Sequence, residues 1–123
     1  MTERADRRFP RSVFAAGSDP DVRFSLANER TFLAWTRTAL ALIAGGVALE
    51  VLGLDLQPAL RLAASLLLVV AGIITPIAAW FEWMNIERAL RTGRSLPHSP
   101  LGMSLAGVVT IVGVLVLLSI VLR

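Results

Sequence analysis

Residues 62–81, LAASLLLVVAGIITPIAAWF, form twenty consecutive positions without a charged side chain. An α-helix rises about 1.5 Å per residue and the hydrocarbon core of a bilayer is about 30 Å thick, so this stretch alone is long enough to cross a membrane. Working outward, two more blocks meet the same requirement. Phe32–Leu54 carries only Arg37 and Glu50, and Leu101–Leu122 carries no charge. Two charge-free blocks of this length fit poorly as buried helices of a soluble core. The expectation is an all-α integral membrane protein with three transmembrane helices, over about 32–54, 60–83 and 101–122.

Composition agrees. Of 123 residues 55% are hydrophobic and 17% charged, a membrane balance. Cysteine is absent and His98 is the single histidine. Disulfides, thiolate metal sites and cysteine nucleophiles are therefore excluded, most zinc geometries are removed, and a Ser-His-Asp triad would have no second histidine candidate. No phosphate-cradling glycine loop and no paired-carboxylate spacing is present either. The chain is not expected to be an enzyme, and no catalytic residue, cofactor or metal site is assigned. His98 lies between Pro97 and the Ser99-Pro100 pair and is expected to be exposed.

The punctuation matches the blocks. Ser99-Pro100 reads as a cap and first-turn proline for the third helix, and Gly93 as the end of the second. The second helix is expected to run past the membrane from Trp83 to Thr92, with Glu87 and Arg91 one turn apart and pairing in water. Pro76 should bend it, which lipid-embedded helices tolerate when neighbours satisfy the freed carbonyl. Residues 1–18 are arginine-rich without the apolar core of a signal peptide and read as a mobile cytoplasmic tail, leaving 19–123 as the membrane domain. Ser18-Asp19-Pro20 has the form of a helix start. A short interfacial helix, with Val22, Leu26 and Leu33 on one face, is expected to be continuous with the first span or to lead into it.

Arginine placement sets the expected orientation. The N-terminal flank holds Arg4, Arg7, Arg8, Arg11, Arg23 and Arg30, and the second loop holds Arg88, Arg91 and Arg94, against Arg61 and Arg123 on the other side. Positive residues stay in the cytoplasm, which places the N-terminus inside and the C-terminus outside. Phe32, Trp35, Trp80, Phe81 and Trp83 cluster toward that inner boundary, as interfacial aromatics do. Glu50 and Arg61 can pair across the short outer connection.

Two patterns bear on function. Small residues recur at seven-residue spacing: Ala27, Ala34, Ala41 and Ala48; Ala64, Ala71 and Ala78; Ala106 and Gly113. Close helix approach is then possible, within one subunit or between subunits of a homo-oligomer. Arg23, Arg30 and Arg37 are also seven apart, and on a continuous helix each lies about 20° from the last, forming a line into the bilayer. Arg37, inside the first apolar block, must snorkel, pair or face water, and Glu82 is the expected partner through a bidentate bond. Two readings stay open. The arginines anchor the chain at anionic headgroups, or several subunits assemble with these faces inward and draw phosphate-like anions toward a pore. Specific nucleic-acid binding is not expected.

The stretch Asp21–Leu42, DVRFSLANERTFLAWTRTALAL, resembles the signature of the YidH-like bacterial inner-membrane family, classed as domain of unknown function 202. The pattern RF-x-LANERTFLAW-x-RTALAL is long and specific, whereas the remaining chain agrees mainly in its three-helix arrangement. The same domain resembles the membrane part of the eukaryotic vacuolar transporter chaperone complex, which passes polyphosphate through a channel of several three-helix subunits lined by basic side chains. That resemblance implies a path position for Arg23 and for Arg30, with Asn28 and Glu29 supporting the motif. Arg37 matches the bacterial form better than the eukaryotic one. Pro100 stands where the eukaryotic pattern has an arginine before Leu101-Gly102, so one basic ring is missing, and polymer synthesis is not implied.

The resulting expectation is a multi-pass inner-membrane protein that self-associates and presents Arg23, Arg30 and Arg37 to an anion, as a possible conduit. The alternative is an accessory or scaffold subunit that packs against another membrane protein and transports nothing.

Overall fold

The computed structural model describes residues 7–123. Among the described residues four helices follow in order: α1 (Arg11–Phe14), α2 (Val22–Val51), α3 (Pro58–Thr92) and α4 (Leu101–Val121). The last three are long and apolar enough to cross a membrane. The interfacial stretch and the first span are one unbroken helix, α2. It begins three residues later than Ser18-Asp19-Pro20 suggests, because Asp21 is the cap, its carboxylate accepting from the Arg23 backbone N–H at 2.9 Å. Asp19 is engaged elsewhere.

α3 continues without a break through Pro76 to Thr92 and ends, as expected, on Gly93 in the left-handed region at φ 70°. It starts with Pro58 in the first turn, capped by the Gln57 side chain, which accepts from Leu60 N–H at 2.7 Å. Thr75 returns its hydroxyl to the Ala71 carbonyl at 2.6 Å. α4 begins at Leu101, one residue inside the expected start. Ser99 still serves it, with Oγ accepting from Leu101 N–H at 3.4 Å.

α3 is the centre of the domain, with α2 and α4 each packed on it. Between α2 and α3 the backbones come very close. A Cβ on Gly72 would lie 2.5 Å from Ile43 Cγ1 and 2.9 Å from the Ala39 carbonyl oxygen, and one on Gly46 would lie 2.8 Å from the Ser65 carbonyl oxygen. Ser65 Oγ donates to the Gly46 carbonyl at 2.6 Å across the same gap. Association in lipid rests on such contact between small residues. The alanine seam of α3 contributes, Ala64 and Ala71 being buried. That of α2 does not: Ala27, Ala34 and Ala41 are exposed, as are Ala106 and Gly113 on α4. The core is a short string of Leu42, Ala71, Ala79, Leu101 and Leu105, with Trp35 reaching across to within 3.7 Å of where a Gly102 Cβ would stand.

Polar contacts fasten the ends. At the α2–α3 turn, Gln57 N–H donates to the Ser119 carbonyl at 3.0 Å and Ser119 Oγ donates to the Gln57 carbonyl at 3.0 Å. Arg61 Nε approaches Glu50 to 3.4 Å, the pair expected across this connection. At the other end Phe32, Trp80 and Trp83 gather as expected, with Trp80 and Trp83 stacked at 5.2 Å and Phe9 and Phe14 joining them. Phe81 points outward, 59% exposed.

Residues 1–6, with Arg4, lie outside the described residues. The rest of the stretch read as a tail lies along the end of α3. Val13 is fully buried, and Gly17, at φ 54°, sits where a Cβ would collide with the Arg91 carbonyl.

Candidate functional site

Three sets of polar side chains gather at the end of the bundle that carries the aromatic residues. The first is the line on α2. Arg23, Arg30 and Arg37 are all exposed on one uninterrupted helix. The buried residues of α2 are Asn28, Ala39, Leu42 and Gly46, and Asn28, Ala39 and Gly46 meet α3 directly. Arg37 stands two positions, about 200°, from Ala39, so it points away from α3. This geometry overturns the expected bond to Glu82. The Glu82 carboxylate instead accepts from Ser99 Oγ at 2.8 Å, on the α4 side of α3. Arg23 folds back on its own cap, Nη2 lying 3.0 Å from Asp21 Oδ2. Its guanidinium and its backbone N–H hold the Asp21 carboxyl below the usual carboxylate range. Arg30 and Arg37 have no hydrogen-bond or ion-pair partner among the described residues.

The second set is centred on the motif asparagine. Asn28 is buried against α3, its Nδ2 donating to the Trp83 carbonyl at 3.1 Å and to Glu87 Oε1 at 3.3 Å, while Ser25 Oγ donates to Glu87 Oε2 at 3.3 Å. Glu87 is 3% exposed. The expectation that it pairs with Arg91 in water is overturned: both side chains are buried, and each bonds to a distant part of the chain. The ANER motif thus divides by face. Asn28 locks α2 to α3, while Glu29 and Arg30 are exposed.

Arg91 organises the third set, which was missed in the sequence because its partners come from far away. Its Nε donates to the Ala16 carbonyl at 2.8 Å, Nη2 to the Phe14 carbonyl at 2.8 Å and Nη1 to Asp19 Oδ1 at 2.6 Å. Ser18 N–H returns a bond to the Arg91 carbonyl at 3.1 Å. Asp19 also receives Arg8 at 2.8 Å. Hydrogen bonds from Arg8 and then Arg91 hold its carboxyl below the usual range. The guanidinium of Arg91 lies 5.3 Å from the Phe14 ring centre, and that of Arg8 lies 4.5 Å from it, within cation–π range. A cavity of about 260 Å³ lies between this clasp and α2, with Glu29 and Glu87 on its wall. No cluster of three metal-ligating side chains occurs among the described residues.

Residues 23–89, which carry the arginine line, the asparagine lock and most of α3, match a domain of unknown function, DUF202. An uncharacterized protein of Mycobacterium tuberculosis, Rv2272, is 41% identical over 110 residues, covering 89% of this chain and 90% of that protein. The inner membrane protein YidH of Escherichia coli K12 is 39% identical over 102 residues, covering 82% of this chain and 89% of YidH. YidH of Shigella flexneri matches equally. No solved structure matches. With the domain spanning more than half of the chain and both relatives matched nearly end to end, this chain belongs to the YidH-like, DUF202 family of multi-pass inner-membrane proteins.

Proposed function

We propose that this protein self-associates in the inner membrane, N-terminus in the cytoplasm and C-terminus outside, and presents Arg23, Arg30 and Arg37 to phosphate-like anions as a conduit rather than as an enzyme. The observation that carries the reading is Arg37: exposed, without a partner among the described residues, and inside an apolar span. At the centre of a span an arginine costs about 2.5–3.5 kcal/mol even on translocon-insertion scales, and the cost falls toward the boundary near which Arg37 stands. Something wet or negative receives it.

Two further features support assembly through this face. In the apolar 18-residue stretch of each span no more than 28% is buried within the chain, which leaves helix surface for lipid or another helix. The exposed Ala27, Ala34 and Ala41 lie in the row beside the arginines, about 40° round α2, and let a neighbouring backbone approach. A ring of subunits would then stack guanidiniums at successive depths, the arrangement that draws anions into a pore. The resemblance of the ANERTFL run to the vacuolar polyphosphate channel subunits points to the same ligand class.

Phosphate efflux from vesicles containing the purified protein tests the conduit. Replacing Arg30 and Arg37 together by glutamine should lower the flux at least tenfold, and an inactive wild type or an unchanged variant would refute it. The same small-residue row would also accept a helix of a different membrane protein, as in an accessory or scaffold subunit. Mass measurement in mild detergent separates the two readings, since a closed homo-oligomer supports assembly and a stable monomer supports the scaffold.

A further inference from the structure

We propose that the cleft between α3 and α4 is a binding site for a phospholipid with a primary-amine headgroup, its ammonium received by Glu82. Two adjoining cavities, of about 410 and 180 Å³, share Ile74, Leu101 and Ser104 and follow the two helices into the membrane. The larger has a polar mouth made by Glu82, Asn85, His98 and Ser99, at the end of the second apolar span. The smaller is apolar, walled by Leu67, Val70 and Val108. Ile74 and Phe81 on the rim are 56% and 59% exposed, so the cleft opens sideways toward lipid. A polar mouth at the membrane boundary leading to an apolar slot has the polarity of a lipid headgroup and chain.

Charge selects the headgroup. Glu82 is half-buried, and its carboxylate has one partner among the described residues, the neutral hydroxyl of Ser99, with no cation within ion-pair distance. A carboxylate in that position repels phosphate and rewards an ammonium that brings several N–H donors. Arg88 and Arg94 line a neighbouring cavity of about 460 Å³ that shares Asn85 and Pro97 with the mouth but lies beyond Glu82 from the apolar slot. A carboxylate at the mouth therefore complements a primary ammonium better than an anionic headgroup or a quaternary one without N–H donors. This site does not involve the exposed arginine face of α2.

The test is native mass spectrometry of the full chain in mild detergent with an equimolar mixture of phosphatidylethanolamine, phosphatidylcholine and phosphatidylglycerol of identical chains. The wild type should retain phosphatidylethanolamine preferentially. Glu82→Gln should keep binding lipid but lose about tenfold of that preference, the worth of one hydrogen bond to a charged group. Ser104→Leu, which fills the junction of the two cavities without touching Glu82, should lower retention of all three lipids. Equal retention of the three headgroups by the wild type, a preference for phosphatidylglycerol, a preference surviving in Glu82→Gln, or unchanged retention in Ser104→Leu would each overturn the assignment. Helix content by circular dichroism confirms that each variant is folded.

Discussion

Replacing Gly72 by alanine adds a single methyl group, yet it strikes the contact that holds α2 to α3. The new Cβ would lie 2.5 Å from Ile43 Cγ1, 2.9 Å from the Ala39 carbonyl oxygen and 3.1 Å from the Ile43 nitrogen, where ordinary contact begins at 3.4 Å. The isoleucine branch can rotate aside, but two of the three atoms are backbone, so the helices themselves must separate. Separation lengthens the 2.6 Å bond from Ser65 Oγ to the Gly46 carbonyl and loosens the second close approach at Gly46. Overpacking of this kind costs about 1–3 kcal/mol. Alanine recovers up to about 1 kcal/mol through its better helix propensity. The net expectation is a loss of about 1–2 kcal/mol, measured as a lower midpoint in unfolding by sodium dodecyl sulfate from mild-detergent micelles. Gly107→Ala is the matched control, because nothing lies within 4 Å of its added Cβ; it should be neutral or slightly stabilising. Equal midpoints for the two variants would refute the idea that backbone proximity at Gly72 holds this pair together.

The other expectations concern the polar clusters. Glu87→Gln should change stability by less than about 1 kcal/mol, since the amide can still bond Asn28 and Ser25, whereas Asn28→Asp sets two carboxylates against each other in a buried place and should cost about 3 kcal/mol. Comparing the two variants in the same detergent unfolding assay checks this, and similar losses would refute the contrast. The Asp19 carboxyl is held below its ordinary value of 3.8 by Arg8 and Arg91, so its contribution to the clasp is complete above that value and disappears as pH falls below it. The protection of residues 11–18 against hydrogen exchange, taken relative to the intrinsic rate at each pH, should therefore fall below about pH 4 in the wild type and be lower at every pH in Asp19→Asn.

The three spans were legible because hydropathy over twenty residues is a bulk property that neighbours do not change, and the Gly93 stop was legible because its cue is local. The polar residues were harder to read, since their partners lie far along the chain. Glu87 and Arg91 have the spacing of an exposed i, i+4 pair, yet α2 covers one and the Pro10–Ser18 stretch covers the other. Ser18-Asp19-Pro20 carries the residue types of a helix start, but the carboxylate of Asp19 is held by two arginines, and Asp21 caps the helix instead. Arg37 and Glu82 were paired on depth alone, and depth leaves rotation about the helix axis undecided. The edge of half-buried Ser25 and buried Asn28 offered a usable signal: two small polar residues three apart on the side of α2 opposite Arg30.

The grip of Arg91 on Phe14, Ala16 and Asp19 joins points more than seventy residues apart in the chain. Because it ties the start of the first crossing to the finish of the second, the α2–α3 hairpin is latched by bonds that use no residue of α4. Loss of the α3–α4 contacts would therefore leave that latch in place, while removing Leu101 and Leu105 from the core.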